Sequence, residues 1–249
     1  MNIFITGGTT GVGLALAQNY LKLGHNVGVC GRDLTKLPAD LKNSRLFSYQ
    51  VDVSERSQVL SAISDFSKKM LGIDLVIANA GVSVPKKTKI PDFDAATKLI
   101  DINIKGVMYT FEAAIKEMLP KKHGHIVAIA SVAGMVGLPG AAPYSASKAA
   151  VLKWCESLAL ELPNHGINVT AIAPGFIDTP LTQKNPHPMP FMISSDDAAK
   201  RIMKAIEQKK VLLVFPWQMA WTMWILERLP RFIYRYIMTF KSFNYSKEN

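Results

Sequence analysis

The sequence predicts an α/β fold in which helices cover both faces of one doubly wound parallel sheet of about seven strands, followed by a helical tail. Short apolar runs alternate with helix-length segments along most of the 249 residues. Runs such as DLVIAN and GHIVAIAS are apolar without alternation, as expected for strands that are buried on both faces. Repeated strand–helix–strand units imply right-handed crossovers, and these wind a parallel sheet.

The individual elements follow from these runs. We predict strands near Ile3–Thr6, Val27–Cys30, Leu46–Gln50, Leu75–Ala78, His125–Ile129, Asn168–Ala173 and Val211–Phe215. We predict helices near Gly11–Leu23, Glu55–Met70, Phe93–Leu119, Tyr144–Leu162 and Asp196–Gln208. No repeat or linker divides the chain, so residues 1–215 are predicted to form one domain and residues 216–249 a tail.

Composition indicates a chain with a sizeable core, because 49% of its residues are hydrophobic and 19% are charged. The two cysteines, Cys30 and Cys155, fall in apolar segments without metal-like or redox-motif spacing, so buried reduced thiols are expected. Met1 leads almost directly into the first strand, so no signal peptide is predicted and a cytoplasmic location is expected.

The segment TGGTTGVG lies between the first predicted strand and the first predicted helix. Gly7 permits a tight turn, Gly11 lets the backbone approach a phosphate, and Gly13 lets the helix pack close to the sheet. The free N–H groups at the start of the helix favour a bound diphosphate. A P-loop is the alternative, because Gly8 and Gly13 have its glycine spacing, but Leu-Ala follows in place of the required Lys and Ser/Thr. The loop therefore favours a Rossmann-like dinucleotide site over nucleotide hydrolysis. A glycine turn that binds no ligand is the remaining alternative.

The end of the second predicted strand, VCGRD, bears on the choice of cofactor. An acidic residue here would bind the ribose 2′-hydroxyl of NAD, whereas an arginine suits the 2′-phosphate of NADP. Gly31 leaves room, and Arg32 can pair with a phosphate through its forked donors. Gly31 and Arg32 therefore favour NADP. NAD stays open, because Asp33 stands 20 residues past Gly13.

Tyr144 and Lys148 are four residues apart on a predicted helix, so their side chains project from one face. A free tyrosine has a pKa of about 10, too high for easy proton exchange at neutral pH. An ammonium group beside it is expected to lower that pKa. Ser131 ends the preceding strand, where its hydroxyl can donate to a carbonyl oxygen. His123 and His125 have no third ligand nearby, so no metal site is predicted.

With these residues in place, the chain resembles the short-chain dehydrogenase/reductases from about residue 2 to residue 215. Seven motifs occur in the family's order at family-like intervals. They are TGGTTGVG for T-G-x3-G-x-G, DV at Asp52–Val53, NAG at Asn79–Gly81, NIKG at Asn103–Gly106, Ser131, YSASK at Tyr144–Lys148 and PGFIDT at Pro174–Thr179.

The resemblance implies an NAD(P)-dependent enzyme with a dinucleotide-binding catalytic domain over residues 1–215. The implied catalytic residues are Asn103, Ser131, Tyr144 and Lys148. Tyr144 would be the general acid in reduction and the base in oxidation, and Lys148 would bind the nicotinamide ribose. Ser131 would polarise the carbonyl, and Asn103 would hold a proton-relaying water. The implied cofactor-binding residues are Gly7, Thr9, Thr10, Gly11, Val12, Arg32, Asp52, Val53, Asn79, Ala80, Gly81, Tyr144, Lys148, Pro174, Gly175, Ile177 and Thr179. The family also implies a homodimer or homotetramer through the long helices around Phe93–Leu119 and Tyr144–Leu162.

The resemblance ends near Phe215, where an apolar and basic tail begins. Trp217, Trp221 and Trp224 fall on one face of a predicted helix, and a second short helix is predicted after Pro230. From residue 209 to 249, seven basic residues against two acidic ones give a net charge of +5, half of the chain's +10. This composition is typical of a segment in the headgroup layer of a membrane, so peripheral membrane contact is predicted. A dimer interface or a flap over the active site is the alternative, and no motif indicates nucleic acid.

The substrate pocket is expected between Thr179 and Asp197, which is proline-rich and carries few charges. This composition favours a hydrophobic carbonyl or alcohol. An epimerase or dehydratase on the same scaffold is one rival, although only about 70 residues follow Gly175. A non-catalytic cofactor-binding regulator is the other, and the presence of both Tyr144 and Lys148 argues against it.

Overall fold

The computed structural model describes residues 1–39, 41, 43–84, 92–183 and 189–239. Its strands form one parallel sheet in the order β3-β2-β1-β4-β5-β6-β7. They are β1 (Asn2–Thr6), β2 (Asn26–Gly31), β3 (Leu46–Gln50), β4 (Leu75–Ala78), β5 (Gly124–Ile129), β6 (Ile167–Pro174) and β7 (Leu212–Phe215). The predicted doubly wound sheet is confirmed. Its strand order reverses direction between β1 and β4, and this opens a crevice at the carboxyl ends of the strands.

Helices cover both faces of this sheet. They are α1 (Gly11–Lys22), α2 (Arg56–Lys69), α3 (Phe93–Ile100), α4 (Gly106–Met118), α5 (Ala142–Glu161) and α6 (Ser195–Glu207). One buried core joins the sheet to α2, α4 and α5, and a second joins it to α1 and α6. Strands such as β4 and β5 are buried along their whole length because both faces are covered, which explains their unbroken apolar sequences.

The prediction of one continuous helix over Phe93–Leu119 is wrong in one respect. A π-helical turn, Asp101–Lys105, separates α3 from α4. It contains Asn103, whose side chain is fully buried and hydrogen-bonded to the loop after β4. The wider turn lets this polar residue satisfy its hydrogen bonds inside the protein, and apolar periodicity alone does not reveal such an insertion.

Within residues 216–239 the tail forms the two predicted helices, α7 (Trp217–Arg228) and α8 (Arg231–Met238), and residues 240–249 of the predicted tail lie outside the described residues. Met219, Met223 and Leu226 of α7 are buried in a third core with Val132 and Val136, which follow β5. The tail therefore packs directly on the loop that follows Ser131. Among the described residues, no helix is both long enough and apolar enough to cross a bilayer.

Candidate active site

A cleft of about 310 Å³ lies along the carboxyl ends of the strands. Every residue predicted to bind the cofactor lines it, together with Ser131, Tyr144 and Lys148. Asn103 is the one predicted site residue that does not line it. The topology explains this convergence, because the loops after β1 to β6 all emerge at the same edge of a parallel sheet.

Hydrogen bonds to the residues that follow β4 fix the position of the glycine loop after β1. The Asn79 side-chain amide donates to the carbonyls of Thr6 and Gly7, both at 3.0 Å. The Thr6 hydroxyl accepts hydrogen bonds from the backbone N–H groups of Asn79 and Ala80 at 3.1 and 3.2 Å. A Cβ on Gly13 would lie 2.3 Å from the Gly7 carbonyl oxygen, so the start of α1 lies very close to the glycine loop.

The start of α1 has the properties of an anion cradle. Gly7 and Gly11 adopt φ values of 65° and 55°, in the region that favours glycine. Thr10 is the N-cap of α1, and its side chain makes no capping hydrogen bond. The first N–H groups of α1 therefore lack a side-chain cap, and a diphosphate group fits the donors that they offer.

Basic residues lie at the β2–β3 end of the cleft. Arg32 and Lys36 both line it, beside Asp52. Burial pushes the pKa of Asp52 upward, but hydrogen bonds from Ser54 and the charge of Arg32 outweigh it, and the pKa is lowered. The Asp33 carboxylate instead caps a local turn, accepting from the Thr35 N–H at 3.0 Å and the Thr35 hydroxyl at 2.5 Å. Asp33 also lines the cleft, and its carboxylate lies 3.7 Å from Lys36 Nζ, so Arg32 and Lys36 stand beside two acidic side chains, Asp33 and Asp52, at this end of the cleft.

The opposite end of the cleft brings Ser131, Tyr144 and Lys148 together. Ser131 begins a short 3₁₀ turn, and its hydroxyl oxygen accepts from the Ala133 N–H at 3.1 Å. This turn packs tightly on α5, because a Cβ on Gly134 would lie 2.6 Å from the backbone carbonyl carbon of Lys148. The contact fixes the loop that carries Ser131 relative to the helix that carries Tyr144 and Lys148.

The electrostatics of Tyr144 differ from the prediction. Burial raises the pKa of Tyr144 above its ordinary value, and a hydrogen bond with Ser131 opposes this rise. Lys148 Nζ lies 5.9 Å from the centroid of the Tyr144 ring and donates to the carbonyl of Ile129 at 2.8 Å. Burial also lowers the pKa of Lys148 from 10.5 to about 8. The expected lowering of the tyrosine pKa is therefore not seen, because burial of the phenol is the larger effect.

Asn103 lies behind the cleft wall. Its side-chain oxygen accepts from the Val82 N–H at 2.8 Å, and its side-chain nitrogen donates to the Val82 carbonyl and to Ser147 Oγ. A Cβ on Gly81 would lie 3.2 Å from Asn103 Oδ1 and 3.4 Å from Lys148 Nζ. Asn103 thus ties the loop after β4 to α5 close to the lysine ammonium.

The cleft is also lined by Lys36 and Thr182, which no sequence motif indicated. Lys36 lies in the short turn that Asp33 caps, and a capping pattern after Arg32 is the signal that would have indicated it. Thr182 Oγ1 donates to the Ile177 carbonyl at 2.5 Å and accepts from the Thr179 N–H at 3.0 Å. Residues 184–188 of the predicted substrate segment lie outside the described residues.

Comparison with known proteins agrees with this geometry. Residues 1–190 match the model of the short chain dehydrogenase family. The chain is 36% identical over 221 residues to an uncharacterized oxidoreductase of Myxococcus xanthus, with 87% of each protein covered. It is 37% identical over 183 residues to the 3-oxoacyl-(acyl-carrier-protein) reductase of Rickettsia prowazekii, covering 72% of this chain and 74% of that one.

A solved short chain dehydrogenase from Burkholderia cenocepacia, in complex with NADP, has a TM-score of 0.83 to this chain at 25% identity. The match covers 95% of this chain and 97% of that one. The chain therefore belongs to the short-chain dehydrogenase/reductase family. It is an NAD(P)-dependent oxidoreductase of that family.

Proposed function

We propose that this protein interconverts a hydrophobic carbonyl compound and its secondary alcohol with NADP(H), and that Tyr144 is its general acid and base. The observation that carries the proposal is the meeting of Ser131, Tyr144 and Lys148 at one end of a cleft whose remainder is a dinucleotide cradle. When bound, the nicotinamide cofactor supplies or accepts the hydride.

The residues present fit NADP better than NAD. The N–H groups at the start of α1 and the positive-φ glycines would hold the diphosphate. Arg32 and Lys36 would pair with the 2′-phosphate, while Asp33, which also lines the cleft, is already engaged by the Thr35 N–H and by Lys36. The NADP-bound relative with the same fold supports this choice.

The proton chemistry follows from the donors at the catalytic end. In reduction, Ser131 and Tyr144 donate hydrogen bonds to the substrate oxygen as negative charge develops on it. Tyr144 then gives its proton to that oxygen, and in oxidation it takes the proton back. Lys148, mostly charged at pH 7, stabilises the phenolate that remains and would hold the nicotinamide ribose.

The substrate class follows from the walls near the catalytic end. Val82 and Ile102 line the cleft, and Val82 follows Gly81, where a Cβ would lie 3.4 Å from Lys148 Nζ. An apolar wall beside two hydroxyl donors favours a carbonyl on an apolar carbon framework over a small charged metabolite. The 3-oxoacyl reductase among the relatives acts, by its name, on a ketone of an acyl chain, which supports this class.

The assembly that we propose is a homodimer or homotetramer formed through α3, α4 and α5. Large apolar side chains are exposed on α3 and α5, including Phe93 at 73% and Leu160 at 80%. We also propose peripheral membrane contact through α7 and α8.

Turnover of a panel of aliphatic and aromatic ketones and aldehydes, followed by loss of NADPH absorbance, tests the reaction. We expect turnover by the wild type with NADPH and a roughly 10²–10⁴-fold loss in Tyr144→Phe, because the proton donor is gone. Tyr144→Phe should still bind NADPH, and Tyr236→Phe on the exposed tail should be fully active. Equal NADPH consumption by the wild type and Tyr144→Phe would refute the mechanism.

A further inference from the structure

The two long faces of α7 have opposite environments. Met219, Met223 and Leu226 face the protein and are buried. Trp217, Trp221 and Trp224 face away and are 67%, 59% and 46% exposed. Since tryptophan is usually well buried, three outward indoles on one helix mark a surface that is built for contact.

This surface is large, and the neighbouring helix α8 also exposes an aromatic side chain. With up to ~250 Å² for each indole side chain, the three tryptophans leave on the order of 400 Å² exposed. Trp221 and Trp224 pack edge to face with their centroids 5.6 Å apart, so their surfaces are contiguous. Phe232 of α8 adds an aromatic ring that is 74% exposed. A patch of this size exceeds what scattered exposed apolar residues produce.

The tail that carries these aromatic side chains is also positively charged. The Arg228 guanidinium lies 4.3 Å from the centroid of the Trp224 ring. Arg231 and Arg235 are one turn apart on α8 and both exposed. Between residues 216 and 239 these three arginines face one acidic residue, Glu227. The complementary partner is therefore apolar at its centre and anionic at its surface.

The charge distinguishes a lipid surface from a second copy of this chain. A two-fold pairing through the patch would bring the arginines of both copies to one interface, where like charges repel. The headgroup layer of an anionic bilayer offers phosphates to the arginines and acyl chains to the indoles. Tryptophan and arginine are the side chains that suit this boundary, since each has an apolar body and a polar end.

We propose that Trp217, Trp221, Trp224 and Phe232, with Arg228, Arg231 and Arg235, dock this protein on the surface of an anionic lipid bilayer. This inference rests on the proposed contact of the tail with a membrane and is independent of the proposed reaction. The opposite face of α7 packs on Val132 and Val136, just after Ser131. The catalytic loop is thus held about one helix diameter, ~10 Å, from the docked surface, where hydrophobic substrates concentrate.

Co-sedimentation of the full chain with vesicles tests the docking. The vesicles are phosphatidylcholine alone, or phosphatidylcholine with one third phosphatidylserine. We expect binding to the anionic vesicles, weakening as salt rises, with a blue shift of tryptophan emission. Replacing Arg228, Arg231 and Arg235 together by Gln should lower the partition coefficient on anionic vesicles about a hundredfold, since each basic residue near such a surface contributes about fivefold.

Two further variants complete the design. Trp221→Ala with Trp224→Ala should reduce binding to anionic vesicles at least about tenfold and make the blue shift smaller, because two of the three docking indoles are lost. The matched charge control replaces Lys22, Lys68 and Lys204, exposed on other helices, by Gln, and should bind within about twofold of the wild type because these charges lie outside the docking face.

The outcomes separate this inference from the proposed reaction. Absence of wild-type binding to anionic vesicles, or equal losses in the arginine and lysine variants, would overturn the docking. So would a wild-type dimer that the tryptophan variant dissociates while no vesicle binding occurs. NADPH turnover of a water-soluble ketone should be unchanged in all these variants. Vesicle binding without any turnover would instead refute the reaction and leave the docking intact.

Discussion

Replacing Lys148 by methionine is expected to make the protein more stable while removing its activity. The lysine is 5% exposed, and burial lowers its pKa from 10.5 to about 8. At ~1.36 kcal/mol for each pKa unit, holding the charge at pH 7 costs roughly 3 kcal/mol. Loss of the hydrogen bond to the Ile129 carbonyl offsets about 1–2 kcal/mol of the gain. The net gain is about 1–2 kcal/mol, or a rise in melting temperature of ~2–8 °C.

The pH dependence of this gain has a definite sign. Below pH 8 the lysine is charged in both the folded and unfolded states, so the full cost is present. Between pH 8 and 10.5 the unfolded state binds more protons, so the stability of the wild type rises with pH. The net advantage of the methionine variant, about 1–2 kcal/mol, should therefore shrink by about 1.36 kcal/mol per pH unit above pH 8, disappear roughly one pH unit higher, and be reversed at pH 10.

Urea denaturation of the wild type and Lys148→Met at pH 7 and at pH 10 measures both effects. Lys204→Met, at an exposed position on α6, is the matched control and should change stability little at either pH. NADPH-dependent turnover should fall by about 10²-fold or more in Lys148→Met. A methionine variant less stable than the wild type at pH 7 would show that the ammonium is not held at an electrostatic cost.

Three further substitutions test other parts of the structure. Arg32→Ser should raise the KM for NADPH about 10–100-fold and leave the KM for NADH unchanged, because one charge-assisted hydrogen bond to the 2′-phosphate is lost. Steady-state kinetics with each cofactor measures this, and equal effects on both would contradict a contact between Arg32 and the 2′-phosphate. Gly13→Ala should destabilise the fold by about 1–3 kcal/mol in urea, because its Cβ would lie 2.3 Å from the Gly7 carbonyl oxygen, whereas Gly137→Ala, with no neighbour within 4 Å, should be neutral. Burial, with the charge of Lys209, lowers the pKa of His125 from 6.5 to about 4, so up to ~3 kcal/mol of stability should be lost as pH falls through this window. His125→Gln should flatten that loss, and an unchanged acid sensitivity would contradict it.

The strands and the cleft could be predicted because they depend on local patterns. Fully buried strands leave unbroken apolar runs, and the turn after β1 needs glycine at positive φ, so both features are visible in the sequence. Tyr144 and Lys148 were found from their spacing on one helix. Most of the predicted cofactor contacts came from the family's motifs, and the structure brings all of them to one cleft.

Features that depend on tertiary packing could not be predicted in the same way. The π-helical turn at Asn103 exists because Val82 and Ser147 meet its side chain, and neither is near it in sequence. The raised pKa of Tyr144 reflects burial, which spacing does not report. The tryptophans of α7 share a face with helical spacing, as a core stripe would, but the methionines between them occupy the core instead.

The shared core of α7 and the loop after β5 limits how this protein can be altered. A truncation after Phe215 would expose the buried side chains of Val132 and Val136 to solvent and would remove Met219, which packs beside Gly175. Such a truncation would loosen the catalytic end of the cleft at the same time as it removed the aromatic surface. Variants that test the outward side chains of α7 should therefore leave Met219, Met223 and Leu226 in place.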